Sequence, residues 1–98
     1  MSASASERRW PVRLAASAQG DLDSLPSAQR AGLVTRLRGL EAEPIPLGKK
    51  LKRLRGLKHP VWRLRHGDFR VLYRVEDGQV LVVRVVNRRD LERAAERL

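Results

Sequence analysis

The chain has 98 residues, 42% of them hydrophobic and 33% charged, which suffices for one small domain and excludes two separate cores. It contains no cysteine, so disulfide frameworks, thiolate nucleophiles and thiolate zinc sites are excluded. Its formal net charge of +10 is lopsided: residues 1–48 carry 6 bases and 5 acids, residues 49–98 carry 15 and 6. That asymmetry points to a polyanionic partner.

Residues 1–9, with their Ser/Ala repeat, read as a disordered tail ahead of a single domain over 10–98. Trp10, Val12 and Leu14 alternate with polar or cyclic neighbours, which predicts a short first strand. Ala15, Ala18, Leu22 and Leu25 recur three or four apart, predicting a short helix that Pro26 closes. Ser27 then caps a second helix running to about Glu43, where Pro44 and Pro46 stop it. Together the two helices form a hairpin that covers one face of a sheet.

Beyond Pro46 spaced leucines alternate with dense positive charge, and three strands follow, at about 61–65, 69–75 and 79–87. His66-Gly67-Asp68 is a tight turn, and Asp77-Gly78 is the strongest short hairpin signal because a type I′ turn needs positive φ at both central residues. Asn87 and Asp90 resemble a capping box opening a last helix with the stripe Leu91, Ala94, Ala95 and Leu98. That stripe offers a surface for a partner helix. The order β-α-α-β-β-β-α predicts an α+β domain whose N-terminal strand and helical hairpin pack on a small, mostly antiparallel four-stranded sheet.

Period two places Phe69, Val71, Tyr73 and Val75 on one strand face and Arg70, Leu72 and Arg74 on the other. Arg63 and Arg65 share a side, and Arg84 interrupts the face of Val80, Val82 and Val86. Arginine at several central positions implies an open, solvated, positive face. Residues 49–74 hold ten bases and a single acid, Asp68. Ordinary solvated charge is the competing explanation, but a surface of that kind mixes signs. Lys49, Lys50, Lys52, Arg53 and Arg55 would therefore attract phosphates, with Arg63, Arg65 and Arg70 as the leading polyanion contacts. Trp62 and Tyr73 fall on the core face and are expected to pack there. His66 is expected to be an exposed turn residue, and His59 is read the same way. Two histidines and scattered carboxylates show no ligand spacing, so neither a metal nor a cofactor is expected. The longest aliphatic run is Val80–Val83, so a cytoplasmic protein without a membrane partner is expected.

Several motifs together resemble the RelE/ParE toxin superfamily. They are Asp21-Leu22-x-x-Leu25-Pro26, Pro46-Leu47-Gly48-x-x-Leu51, the run Trp62-Arg63-Leu64-Arg65-x-Gly67-Asp68-Phe69-Arg70-Val71-Leu72-Tyr73, and Val83-x-Val85-x-x-Arg88-Arg89-Asp90. The resemblance implies the toxin of a type II toxin–antitoxin pair, held by a cognate acidic antitoxin and reaching operator DNA only through that complex. On the RelE-like side, favoured by the short helical hairpin, it implies a ribosome-dependent endoribonuclease that cuts mRNA. Arg63, Arg65, Arg70 and Arg88 would then form the catalytic basic site, orienting the phosphodiester and stabilising its pentacoordinate transition state. Glu92 stands where such sequences often carry a tyrosine, and Asn87 where they often carry a histidine, so Glu92 is the carboxylate available as a base. The alternatives are a ParE-like inhibitor of DNA gyrase and a catalytically weakened member that binds its antitoxin as a co-repressor.

Overall fold

The structure, a computed structural model, describes residues 9–44, 49–50 and 60–98, the short 49–50 segment in backbone only. Strand β1 (Val12–Leu14) leads into helices α1 (Ala16–Asp23) and α2 (Ser27–Gly39). Strands β2 (Lys49–Lys50), β3 (Trp62–His66), β4 (Phe69–Glu76) and β5 (Gln79–Asn87) follow, then a 3-10 turn (Arg88–Asp90) and helix α3 (Leu91–Glu96). The sheet order is β1-β5-β4-β3-β2; β1 runs parallel to β5 and every other pair is antiparallel. The α+β architecture is therefore the expected one. The two-residue β2 is a fifth strand added at the edge, in register with Arg63 and Trp62. Among the described residues no helix is long and apolar enough to cross a membrane.

Local chemistry explains the element ends, with three corrections. Pro26 occupies the cap position of α2 and Ser27 is its first helical residue, so Ser27 makes no capping bond. Helix α2 stops at Gly39, four residues short of Glu43, because the chain tightens into turns at Leu40–Ala42 before Pro44. The Asp77-Gly78 turn has φ of 53° and 74°, as a type I′ hairpin requires, and Gly67 in the β3–β4 turn has φ 57°. Asn87 caps the 3-10 turn, not α3 itself: its Oδ1 accepts from the Arg89 N–H at 3.1 Å.

The main core lies between the helical hairpin and one sheet face. Ala18, Leu22, Leu33, Leu37 and Leu40 from the helices meet Leu64, Val71, Tyr73, Val80, Val82 and Val85 from the strands. Trp62 packs at its margin and Tyr73 is wholly buried within it, as their face assignment requires. The face of β5, however, changes part-way. Between the pairs Tyr73↔Val82 and Leu72↔Arg84, β5 carries one more residue than β4, a bulge at Val83. Val85, not Val86, consequently joins Val80 and Val82 beneath the helices.

The opposite face is not wholly open. Val61, Leu72 and Val86 are buried there beneath Ala94 and Ala95 of α3, with Val83 and Leu91 alongside. The C-terminal stripe therefore closes on its own sheet, and of its four residues only Leu98 is exposed. It is not a free surface for a partner helix, because the small alanines let a six-residue helix lie close over Leu72.

The exposed edge of β5 beyond β1 is sealed by α1. Ser17 and Asp21, one helical turn apart, both face that edge. The Ser17 hydroxyl donates to the Val83 carbonyl at 2.8 Å. The Asp21 carboxylate accepts from the Val85 N–H at 2.8 Å and from Arg84 Nε and Nη2 at 2.7 and 3.1 Å. Arg84 is thus a paired cation spanning 63 residues of sequence, not a free base of an open face. Both backbone groups of a strand edge that would otherwise template association are occupied.

Candidate arginine site on the sheet

Four arginines expected in one site do converge. Arg65 and Arg70 are direct cross-strand partners on β3 and β4, and Arg63 is two residues before Arg65 on the same face, opposite Leu72. Arg88 follows the last residue of β5. Its backbone N–H donates to the Asp68 carbonyl at 2.7 Å, and its Nε lies 3.7 Å from the Asp68 carboxylate. The turn between β3 and β4 therefore draws the end of β5 towards the arginine pair.

Arg70 reports this crowding. Partial burial lowers its affinity for a proton, Arg65, Arg63 and Arg88 lower it further in that order, and Asp68 opposes them. The guanidinium stays cationic, since arginine does not lose its charge in proteins. Its side chain folds back over the turn: Nη1 donates to the carbonyls of Gly67 at 2.9 Å and Phe69 at 2.8 Å. Three successive carbonyls, of Gly67, Asp68 and Phe69, are thus held by Arg70 and Arg88. Arg70, the expected polyanion contact, is braced against the turn by Nη1, and among the described residues its Nη2 and Nε make no bond.

Other expected residues fall elsewhere. Glu92 is exposed on α3 and is not among the charges acting on Arg70. Asn87 is occupied as a cap, accepting also from Arg89 Nε at 3.3 Å. His66 ends β3 half-buried on the helical side, where its Nε2 would lie 3.5 Å from a Cβ placed on Gly32 of α2. It is neither an exposed turn residue nor a neighbour of the arginines, because residues 62, 64 and 66 alternate away from 63 and 65. Arg74 pairs with Glu76 at 3.2 Å. Lys49 and Lys50 form β2 beside β3. Lys52, Arg53, Arg55 and His59 lie outside the described residues. Among the described residues no group of three or more His, Asp or Glu could hold a metal ion. Sequence reasoning missed Asp68 as a partner of Arg88; its isolation as the single acid of residues 49–74 was the available signal.

The ParE toxin of the type II toxin–antitoxin system parDE is the family model that matches, over residues 12–92. The chain belongs to the RelE/ParE toxin superfamily. Toxin RelG of Mycobacterium tuberculosis is 36% identical over 88 residues, covering 86% of this chain and 97% of that relative. The toxin–antitoxin complex RelBE2 from the same organism superposes with a TM-score of 0.71 at 34% identity, covering 82% of this chain and 92% of that one. An archaeal RelE–RelB complex from Pyrococcus horikoshii gives 0.67 at 26%, with 82% and 96% covered. Free E. coli RelE carrying two arginine-to-alanine substitutions gives 0.66 at 23%, with 90% and 93% covered, a likeness of fold. This RelE/ParE chain is accordingly a toxin of the type II toxin–antitoxin class.

Proposed function

We propose that this toxin is a ribosome-dependent mRNA endoribonuclease acting in the cytoplasm and neutralised by an acidic antitoxin. The observation that carries this reading is the convergence of Arg63, Arg65, Arg70 and Arg88 on one sheet face, with Asp68 as the acid beside them. A poison that works by binding a protein has no need of four guanidinium groups crowded against their mutual repulsion. A phosphodiester does, because charge grows on its oxygens as the reaction proceeds. In this reading the mRNA 2′-hydroxyl oxygen attacks the adjacent phosphorus, the bond to the 5′-oxygen breaks, and a 2′,3′-cyclic phosphate remains. Arg63 and Arg65 orient the phosphate, while Arg70 and Arg88 stabilise the pentacoordinate transition state. Glu92, exposed at the start of α3 and apart from the arginine cluster, receives the 2′-hydroxyl proton through solvent water, and a water proton caps the leaving 5′-oxygen. Lys49, Lys50, Lys52, Arg53 and Arg55 would hold flanking RNA phosphates.

Expression of the chain alone tests the reading. Translation arrest with mRNA cut at codon positions is the expected result. Induction of the DNA-damage response with intact mRNA would replace it with a ParE-like action on gyrase. Normal growth would leave a binding and co-repressor role.

A further inference from the structure

We propose that Asp68 is the positioning residue of the arginine site: it holds Arg88 at the cluster by backbone and side chain together, and its carboxylate competes with phosphate for that guanidinium. Two contacts carry this. The Asp68 carbonyl accepts from the Arg88 N–H at 2.7 Å, which fixes where the chain leaves β5. The Asp68 carboxylate then faces Arg88 Nε at 3.7 Å, a distance that leaves the pair loose. Both side chains are largely exposed, 72% and 65%. Such a pair is weak, and a phosphate outcompetes it for the Arg88 Nη groups while the carboxylate keeps its place beside Nε. The same turn is braced on either side by Arg70 Nη1 at the Gly67 and Phe69 carbonyls. Among the described residues Asp68 is therefore the acid that partly neutralises the cluster, and when substrate arrives it yields the Arg88 Nη groups while still holding Nε. It aims Arg88 without touching the reacting atoms.

This deepens the endoribonuclease reading and rests on it for its catalytic half. The test compares the parent with Asp68→Asn, Asp68→Glu and Asp77→Asn. The last removes the same charge from the other hairpin turn, where asparagine is equally at home at positive φ. The binding probe is a fluorescein-labelled 2′-O-methyl RNA dodecamer, which cannot be cut. Asp68→Asn should bind it about two- to five-fold more tightly, with a salt slope steeper by about 0.7, as expected for one more phosphate neutralised on a single strand. On mRNA-programmed ribosomes at saturating toxin, its single-turnover cleavage should fall about tenfold or more, as when a positioned group loses its aim. Asp68→Glu should restore most of both, and Asp77→Asn should move neither by as much as twofold. Tighter binding combined with slower cleavage is a signature that simple loss of structure does not produce. An Asp68→Asn protein that cuts at the parental rate, or whose binding changes no more than that of Asp77→Asn, overturns the proposal. A parent that cuts no mRNA would refute the endoribonuclease reading alone. The Arg88 Nε–H resonance then decides: it should shift in Asp68→Asn and stay in place in Asp77→Asn, and an unmoved resonance in both removes Asp68 as the positioning residue.

Discussion

Replacing Asp21 with alanine should destabilise this protein more than any other single change at a polar side chain, even though Asp21 lies outside the arginine site. The carboxylate accepts three hydrogen bonds, two from Arg84 and one from the Val85 N–H, all between 2.7 and 3.1 Å. Hydrogen bonds to a charged group contribute about 1.5–3 kcal/mol each when buried. Here the side chains of Asp21 and Arg84 keep 18% and 28% of their exposure, so water recovers part of the ion pair. The Val85 N–H recovers less, because α1 still covers that edge and an unpaired buried donor costs about 1–3 kcal/mol. The sum is about 2–4 kcal/mol, or a fall of about 10–25 °C in Tm for a domain this small. Arg84→Ala keeps the bond to Val85 and should cost only about 1 kcal/mol. Asp21→Asn, whose amide oxygen can still accept from Val85, should fall between the two. Urea unfolding followed by the fluorescence of Trp10 and Trp62, both packed at the core margin, reads the differences. If Arg84→Ala cost as much as Asp21→Ala, the ion pair and not the sealed strand edge would hold α1 in place, and the reasoning would fail.

Arg70→Ala should change stability by less than about 1 kcal/mol, since the loss of two bonds to turn carbonyls is offset by relief of repulsion from Arg65. Cleavage, and with it growth inhibition, should fall by about 10²–10³, while Arg13→Ala on the exposed edge strand stays toxic; a folded Arg70→Ala chain that kills like the parent would remove Arg70 from the site. Arg65→Gln should raise stability by about 0.5 kcal/mol at low salt, because it ends a direct like-charge pair, and calorimetry showing a loss instead would disprove that the pair is unfavourable. Glu92→Gln should leave Tm unchanged and slow cleavage, whereas an unchanged rate would exclude it as the proton acceptor. Tyr73 is the single tyrosine, and burial raises its hydroxyl pKa against the lowering effect of Arg36. Its folded pKa lies above the unfolded one, so the associated stability is complete below about pH 10 and lost as pH rises through the folded value. Absorbance at 295 nm should therefore show phenolate only as the protein unfolds, and a reversible titration near pH 10 in the folded state would contradict the burial.

The parts of the fold that were legible in the sequence are those set by neighbours along the chain. Asp77-Gly78 announced its own turn because positive φ at two successive positions admits few residues. The alternation of Arg63, Leu64 and Arg65, and of Arg70 and Val71, told the two faces of β3 and β4 apart and so brought three of the arginines together. Residues 80–86 gave no such guide. Apolar side chains occupy both faces there, and period two cannot reveal where a bulge at Val83 exchanges Val86 for Val85. Arg84 was misread for the same reason, and because its partner Asp21 lies 63 residues away on α1. The C-terminal stripe was recognised as amphipathic, but periodicity does not say whether such a stripe meets its own sheet or another molecule. Leu72, apolar between Arg70 and Arg74, was the clue that something of this chain covers that face.

The two faces of the sheet divide the work between them. The helical face buries a continuous core of leucine, valine and Tyr73, and the α1 edge is tied by Ser17 and Asp21, so stability is concentrated away from the arginines. On the other face α3 covers only the Leu72–Val86 patch and leaves Arg63, Arg65, Arg70 and Arg88 to repel one another. A charge arrangement that is unfavourable when empty persists because the rest of the domain over-determines the strand register that creates it. An anion bound there removes repulsion in addition to making its own contacts, so its binding stabilises the fold by mass action. The same arithmetic explains why the site carries Asp68. One loosely held carboxylate tempers the repulsion in the free protein, yet it is weak enough to share Arg88 with a phosphate, which a tight buried pair would not do.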